Sequence, residues 1–357
     1  MLLILLLILE SFIKNRIKLK IVINLTESPL EKSEMNEFLR SDQPTGKNRI
    51  SRLLKFYIIP GWRDPEYTRK EFKIGEIKSK RRLFRRLLKP LTIIGILLIL
   101  FIVFLAVFSP WLTIYPIEEL SNGYHAPFDL YSPPSPLHPL GTTNYGYDVY
   151  GRIIWGARTA VTAAAIPALI STLGGLVVGT ISAYFGGKVD SIIMRFSDFW
   201  FALPQFIIII IISPMMGQDL YNLLLLFGIF GIPGSARWIR TLVLQVRHNT
   251  YVKAAIAGGA VKFKVMFKHI LPNAISPVII SFFGSMGGAV LAFAGIAFLN
   301  LGDQKVADWG TDINYGMGHL LAPWTIVWPG LFLSLTVIGF MLIGDGLRDA
   351  LDPRLHL

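Results

Sequence analysis

The stretch PLTIIGILLILFIVFLAVFSPWL, residues Pro90–Leu112, contains no charged side chain. A helix of about 20 apolar residues is long enough to cross the hydrocarbon core of a bilayer. This stretch therefore predicts a membrane-spanning helix. The whole chain has the same character, because 53% of its 357 residues are hydrophobic and only 16% are charged. We expect an all-α protein integral to a membrane.

Five further apolar runs predict a polytopic protein with about six transmembrane helices. They cover residues 160–185, 199–216, 220–238, 274–298 and 325–344. The third run is the least regular, because Asp198, Pro204 and Gln205 crowd its start. Prolines and polar groups are tolerated inside spans that face protein or a water-filled cavity.

The distribution of charge predicts the orientation of the chain. Residues 1–89 hold 21 Lys and Arg against 10 Asp and Glu, which accounts for nearly all of the formal charge of +12. The positive-inside rule places this flank in the cytoplasm, and six spans return the C-terminus there. The segments then assigned to the outside are mainly acidic, with only Arg152 and Lys305 as strong bases. We expect a multi-pass cell-membrane protein with both termini cytoplasmic, its basic flank facing anionic lipid rather than nucleic acid.

One segment between two predicted spans, KAAIAGGAVKFKVMFKHILPN at residues 253–273, has the composition of a docking element. Its small residues would let a short helix approach the backbone of another protein, and its paired glycines permit a sharp turn. Thr250 is predicted as the N-cap of the short helix. A second helical run is predicted to stop at Leu271-Pro272, where proline resets the backbone.

This segment resembles the cytoplasmic EAA loop of ATP-binding-cassette import permeases. The residues that the resemblance assigns to coupling with an ATPase are Lys253, Ala254, Ala255, Gly258, Gly259, His269, Leu271 and Pro272. Lys253 stands where the family has Glu, which would complete a capping box with Thr250. We therefore expect the partner's groove to carry an acidic group.

From residue 80 onward the chain resembles the second permease subunit of dipeptide and oligopeptide importers. Matching blocks are HPLGTTNYGYDVYGRIIWGART (138–159), YFGGKVD (184–190), PGSARWIR (233–240), AFLNLG (297–302) and GDGLRDALDPRL (344–355). In the first block, Thr143 and Tyr147 replace the Asp and Arg usual in the family. The resemblance implies a type I ABC importer permease fold. It divides the chain into an N-terminal extension (1–79), a basic flank with the first span and outer loop (80–156), the permease domain with its coupling loop near 250–272 (157–349), and a C-terminal tail (350–357).

The resemblance also implies the function and the partners. Such a chain forms half of a pathway for peptides or oligosaccharides and works by alternating access. Its partners would be a second homologous permease, two ABC ATPases and an extracytoplasmic solute-binding protein. No GxxxxGK[ST] loop occurs in the chain, so ATP and Mg would be bound by the ATPases and no cofactor by this chain. The alternatives are a stand-alone secondary transporter or channel and, within importers, uptake of nickel complexes.

Residues for catalysis or metal binding are not assigned. Cysteine is absent, which excludes thiolate chemistry. His125, His138 and Asp129 share the outer loop, where solvation is preferred over a metal site, and His319 is placed at the membrane interface. Arg158, Asp198 and Asp345 lie at span ends, where ion pairing and snorkelling are favoured over a pathway role. The span glycines, Gly174, Gly175, Gly228, Gly231, Gly287, Gly288 and Gly295, are predicted to allow close helix packing.

Overall fold

The computed structural model describes residues 89–121 and 129–351, and across these ranges it is built from helices with no extended strand. The predicted N-terminal extension, most of the basic flank, His125 and the end of the C-terminal tail lie outside the described residues. The helices are α1 Pro90–Leu112, α2 Val149–Phe185, α3 Gly187–Ala202, α4 Gln205–Met215, α5 Leu220–Arg247, α6 Thr250–Ala257, α7 Lys262–Val265, α8 Leu271–Phe298, α9 Trp309–Met317 and α10 Trp324–Leu351. A 3₁₀ turn covers Ile117–Leu120, and a π turn, Met266–Ile270, joins α7 to α8.

Helices α1 and α10 pack antiparallel along their whole length. Lys89, before α1, pairs with Asp349 near the end of α10 at 2.6 Å. Further along, the Phe101 ring lies 6.3 Å from the Phe332 ring. The end of the bundle that holds Lys89 is called the basic end below. The opposite end, where α1 stops at Leu112, is called the acidic end.

Helices α2 and α5 lie side by side and run in the same direction, from the acidic end to the basic end. Near their middle, Gly228 faces Ile170. At the basic end, Arg247 donates a hydrogen bond to the Ala183 carbonyl at 2.9 Å. The intervening chain must therefore return through the length of the bundle.

That return is made by α3 and α4, which meet at a bend of 80°. The predicted continuous span at 199–216 is wrong in this respect. Leu203 is extended at the break, and Pro204 follows it. Proline has no N–H to donate and disfavours a helical residue before it. The described residues thus contain five continuous helices long enough to cross a membrane, or six spans if the bent pair is counted as one.

The remaining predicted helices are confirmed, but some of their predicted ends are not. The first span occupies Pro90–Leu112 as predicted. Helix α2 begins at Val149, well before residue 160, and α5 continues to Arg247, well beyond residue 238. Hydropathy detects only the continuously apolar part of a helix, so the turns that carry polar residues were missed.

Glycine packing explains how α2 and α5 approach so closely. A Cβ added at Gly175 would lie 2.4 Å from the Ser235 Cβ, and one at Gly231 would lie 2.8 Å from the Ser171 Cβ. The packing role predicted for Gly174, Gly175, Gly228 and Gly231 is confirmed, and Gly287 is also close to a neighbouring helix. The described residues show no such packing at Gly288, where an added Cβ would have no atom within 4 Å, and Gly295 has ordinary contacts only.

Candidate functional site

The predicted docking segment forms a compact loop at the basic end, here called the basic-end loop (residues 250–272). Helix α6 ends at Ala257, and Gly258 caps it. The next residue, Gly259, has a φ of +77°, a conformation that glycine adopts without the strain a side chain would bring. The chain reverses there and enters α7. The two glycines therefore have the turning role predicted for them.

The N-terminus of α6 differs from the prediction. The helix begins at Thr250, so its capping position is Asn249, which has extended backbone and makes no side-chain cap hydrogen bond. The position that would complete a capping box is then Val252, which is fully buried, rather than Lys253. The prediction that Thr250 is the N-cap is wrong. Residue 253 is not at the capping-box position, so Lys253 in place of the family's Glu does not break a capping box.

The predicted stop at Leu271-Pro272 is also wrong. The Leu271 N–H bonds the Met266 carbonyl, five residues back, and closes the π turn. Pro272, which has no N–H, then falls in the first turn of α8, where a missing donor is tolerated. The side-chain amide of Asn273 donates a hydrogen bond to the His269 carbonyl at 2.7 Å. The helix consequently runs without interruption from Phe263 to Phe298.

The inner face of the basic-end loop is anchored on α5. Val252, Val265 and Ile270 are fully buried in one apolar cluster with Ile239 and Val243 of that helix. Full burial of a side chain of this size contributes about 1.5–3 kcal/mol. The loop is thus fixed to the bundle as a rigid projection.

The outer face of the loop is apolar and exposed. Ile256 is 52% exposed and Val261 69%, and Phe263 and Phe267 expose more than half of their surface with their rings stacked 6.5 Å apart. Of the residues assigned to coupling, Lys253, Ala254, Gly258, Gly259 and Pro272 are exposed, whereas Ala255, His269 and Leu271 are half-buried. An exposed apolar patch on a projecting, anchored loop is suited to binding another protein.

Several charged residues at the basic end are paired within the chain. Arg240 binds Asp190 through two hydrogen bonds of 2.5 and 2.6 Å. Arg237 pairs with Asp198 and lies over the Phe201 ring. The ion pair expected for Asp198 is confirmed. Arg158, which lies toward the acidic end, is placed over the Trp155 ring at 5.1 Å, and Asp345 is exposed.

A buried ionic cluster at the acidic end was not predicted. Arg152, in the first turn of α2, pairs with Asp312 of α9 and donates to the Leu120 carbonyl. Both charged side chains are only 3% exposed. The rings of Tyr147 and Tyr315 lie 5.2 and 5.6 Å from the guanidinium carbon. This contact ties α2, α9 and the 3₁₀ turn together.

The cluster contains more acid than base. Asp308 caps α9 by accepting from the Thr311 N–H at 2.8 Å, and burial raises its pKa. Burial also raises the pKa of Asp312 to about 6, although Arg152 opposes the shift. One oxygen of Asp312, Oδ2, is buried with no hydrogen-bond partner among the described residues. Arg152 and Asp312 are 160 residues apart, so their meeting could not be read from spacing. The available signal was that Arg152 is one of only two strong bases in the segments predicted to lie outside.

The histidines at this end differ from one another. The solvation predicted for His138 is wrong, because it is buried and its Nδ1 lies 3.0 Å from Asp148 Oδ1. Asp148 also caps α2 by accepting from the Gly151 N–H at 2.7 Å. His319 is exposed and stacks on Tyr131 at 4.5 Å. Within the described ranges, no three His, Asp or Glu side chains are grouped to hold a metal ion.

The two positions that depart from the family pattern are both part of this folded end. Tyr147 is almost fully buried, and its N–H donates to the Thr143 hydroxyl at 3.2 Å. Thr143 is buried as well, and its N–H donates to the Tyr147 carbonyl at 2.9 Å. These residues support the turn that leads into α2.

Comparison with known proteins agrees with this architecture. Residues 175–357 match the family described as binding-protein-dependent transport system inner membrane component. The dipeptide transport system permease protein DppC of Alkalihalophilus pseudofirmus is 32% identical over 295 residues, covering 82% of this chain and 95% of that protein. The glutathione transport system permease protein GsiD of Pectobacterium atrosepticum is 33% identical, covering 77% of this chain and 91% of that protein.

The oligopeptide transport system permease protein OppC of Bacillus subtilis is 33% identical over 268 residues, covering 74% of this chain and 86% of that protein. These matches include the bundle from α1 to α10 and are not confined to the basic-end loop. The chain therefore belongs to the binding-protein-dependent transport system inner membrane component family, the membrane subunits of ABC importers.

Proposed function

We propose that this chain is one of two permease subunits in an importer of dipeptides or oligopeptides, driven by ATPase subunits that bind the basic-end loop. The observation that carries the proposal is the structure of that loop. It exposes Ile256, Phe263 and Phe267 on one side and buries Val252 and Ile270 against α5 on the other. It can therefore bind a partner and transmit that partner's motion.

The path of the motion follows from helix packing. A displacement of the loop would move α5. Because α2 and α5 approach closely at Gly175 and Gly231, α2 would move with α5. Closely packed helices shift as bodies rather than deform continuously. ATP binding that closes the ATPases would thus reorient the bundle, giving alternating access. Solute would be received from an external binding protein at the acidic end.

The orientation belongs to the same proposal. The strongly basic residues 1–89 favour a cytoplasmic basic end, and an even number of crossings returns the C-terminus to that side. The basic-end loop then faces the compartment that holds ATP. The acidic end faces outward, toward the binding protein.

The experiment compares the native chain with two surface variants in complexes extracted from the native membrane. Mass spectrometry of the tagged native complex is expected to find a second permease and ATPase subunits. Ile256→Asp should lose the ATPases, because a carboxylate would be buried in the contact. Leu321→Asp, at a position 83% exposed at the acidic end, should keep them. A native chain that purifies alone and transports without ATP would support the secondary transporter instead.

The solute is tested in proteoliposomes that contain the whole complex and its binding protein. The relatives are permeases of dipeptide, oligopeptide and glutathione systems, which favours a peptide. ATP-dependent uptake of labelled dipeptide should be reduced by unlabelled peptides and not by oligosaccharides or nickel complexes. Competition only by an oligosaccharide or a nickel complex would overturn the peptide assignment.

A further inference from the structure

Three lysines of the basic-end loop have no acidic partner in the described part of the chain. Lys253, Lys264 and Lys268 are exposed, and no described carboxylate lies within ion-pair distance of them. Other bases at the same end do have such partners, as Arg240 has in Asp190. Among the described residues, nothing neutralises the positive charge of these three lysines.

The surrounding sequence cannot supply the missing acid. No Asp or Glu occurs from residue 220 to residue 302, which covers the loop and both helices that flank it. Over the same range the chain carries seven Lys and Arg. A partner that covers the loop must either leave these ammonium groups in water or provide carboxylates.

The shape of the surface around Lys253 favours a protein over lipid. Four of the exposed residues beside Lys253 are small, namely Ala254, Ala257, Gly258 and Gly259, and they adjoin the exposed side chains of Tyr251 and Ile256. Small side chains allow close approach of two backbones, whereas a helix that lies in a lipid interface uses bulky apolar anchors. Lys253 projects from this small-residue surface and would enter the contact.

We propose that the ATPase subunit receives α6 in a groove with a carboxylate facing Lys253. This inference rests on the proposed function, because it assigns a chemical character to the partner at the same loop. The carboxylate satisfies the lysine when the contact excludes water, and it also speeds correct docking by charge attraction. The charge at 253 is thus part of what selects the partner.

The test measures binding of the native ATPase to the permease pair in nanodiscs of phosphatidylcholine. Lys253→Met should weaken binding about 10-fold, and Lys253→Glu more than about 50-fold, because a carboxylate would then face another. Raising the ionic strength should weaken binding of the native chain and strengthen binding of Lys253→Glu. Lys188→Glu, on an exposed base of α3, is the matched control and should keep native affinity and salt response.

A carbodiimide, which joins an ammonium group to a carboxylate in direct contact, should link Lys253 to an Asp or Glu of the ATPase. Native affinity and salt response in Lys253→Glu, with no such cross-link, would overturn the inference. Dependence of ATPase binding on anionic lipid in place of a cross-link would also overturn it and assign Lys253 to the membrane. Ile256→Asp distinguishes failure of this inference from failure of the proposed function. If Ile256→Asp also keeps the ATPase, the proposed function itself fails.

Discussion

Arg152 is the residue on which the acidic end depends. It is buried with two carboxylates close by, and its guanidinium also satisfies the Leu120 carbonyl. Removing one member of a buried ion pair leaves the other charge without compensation in a medium that solvates it poorly. An exposed pair loses little, because water replaces the partner. The buried Arg152–Asp312 pair and the exposed Arg237–Asp198 pair therefore differ sharply in expected energetic effect.

Arg152→Met should lower the free energy of unfolding by about 3–5 kcal/mol. The matched change Arg237→Met, in a pair whose side chains are 43% and 66% exposed, should lower it by no more than about 1 kcal/mol. Thermal unfolding of the purified proteins in one detergent gives the comparison. Combining Arg152→Met with Asp312→Asn should recover part of the loss, because one unpaired charge is removed. Equal unfolding temperatures for the two single variants would contradict the interpretation.

Asp312 predicts the sign of a pH dependence. Its pKa of about 6 lies above the usual 3.8, so the folded chain binds more protons than the unfolded chain between about pH 4 and 6. The resulting stabilisation is complete below about pH 4 and is lost as the pH rises through about 6. The unfolding temperature should consequently fall more steeply from about pH 4 to 6 in the native chain than in Asp312→Asn. A native slope in Asp312→Asn would disprove the assignment.

At the scale of helices, two prolines show why breaks are hard to predict from sequence. Pro204 separates α3 from α4, whereas Pro272 lies inside a continuous helix. The difference is that a π turn precedes Pro272 and a side chain, Asn273, bonds the carbonyl at His269. The sequence shows each proline but not the hydrogen-bond register before it. The predicted break at Pro272 and the predicted continuity across Pro204 were wrong for this one reason.

The close contact between α2 and α5 predicts how glycine substitutions in these helices affect stability. At Gly179 an added Cβ would lie 2.4 Å from the Ala236 carbonyl oxygen, and the backbone there has no room to yield. Gly179→Ala should therefore destabilise the fold by about 1–3 kcal/mol. Gly288→Ala, where no atom lies within 4 Å, should change stability by less than about 1 kcal/mol. Thermal unfolding distinguishes them, and equal effects would show that α2 and α5 are not held at this distance.

At the scale of the whole molecule, hydropathy alone predicted the class of fold and the approximate positions of the spans. The first span, Pro90–Leu112, was predicted to the residue, because its apolar character starts and stops abruptly. The Arg152–Asp312 contact was missed because it depends on how α9 folds back onto α2. Local patterns carry information about single helices and lipid exposure. Contacts between distant helices arise only from the assembled bundle.

The crossing number offers a test of the assembled bundle, since the chain contains no cysteine and each introduced thiol is unique. Four exposed positions are suitable: Lys188 and Val261 at the basic end, and Glu119 and Gln218 at the acidic end. With six crossings and a cytoplasmic basic end, an impermeant thiol reagent should label Glu119→Cys and Gln218→Cys in intact cells. Lys188→Cys and Val261→Cys should react only after permeabilisation.

The pair formed by Lys188→Cys and Gln218→Cys tests the bent helices α3 and α4 directly. Because α2 and α5 run parallel, these two helices must carry the chain from one end of the bundle to the other. Labelling of both cysteines from one side would instead make α3 and α4 a re-entrant loop and reduce the crossings to five. The native chain, which has no thiol, controls for background labelling. Reversed labelling of all four positions would keep the six crossings and overturn only the orientation.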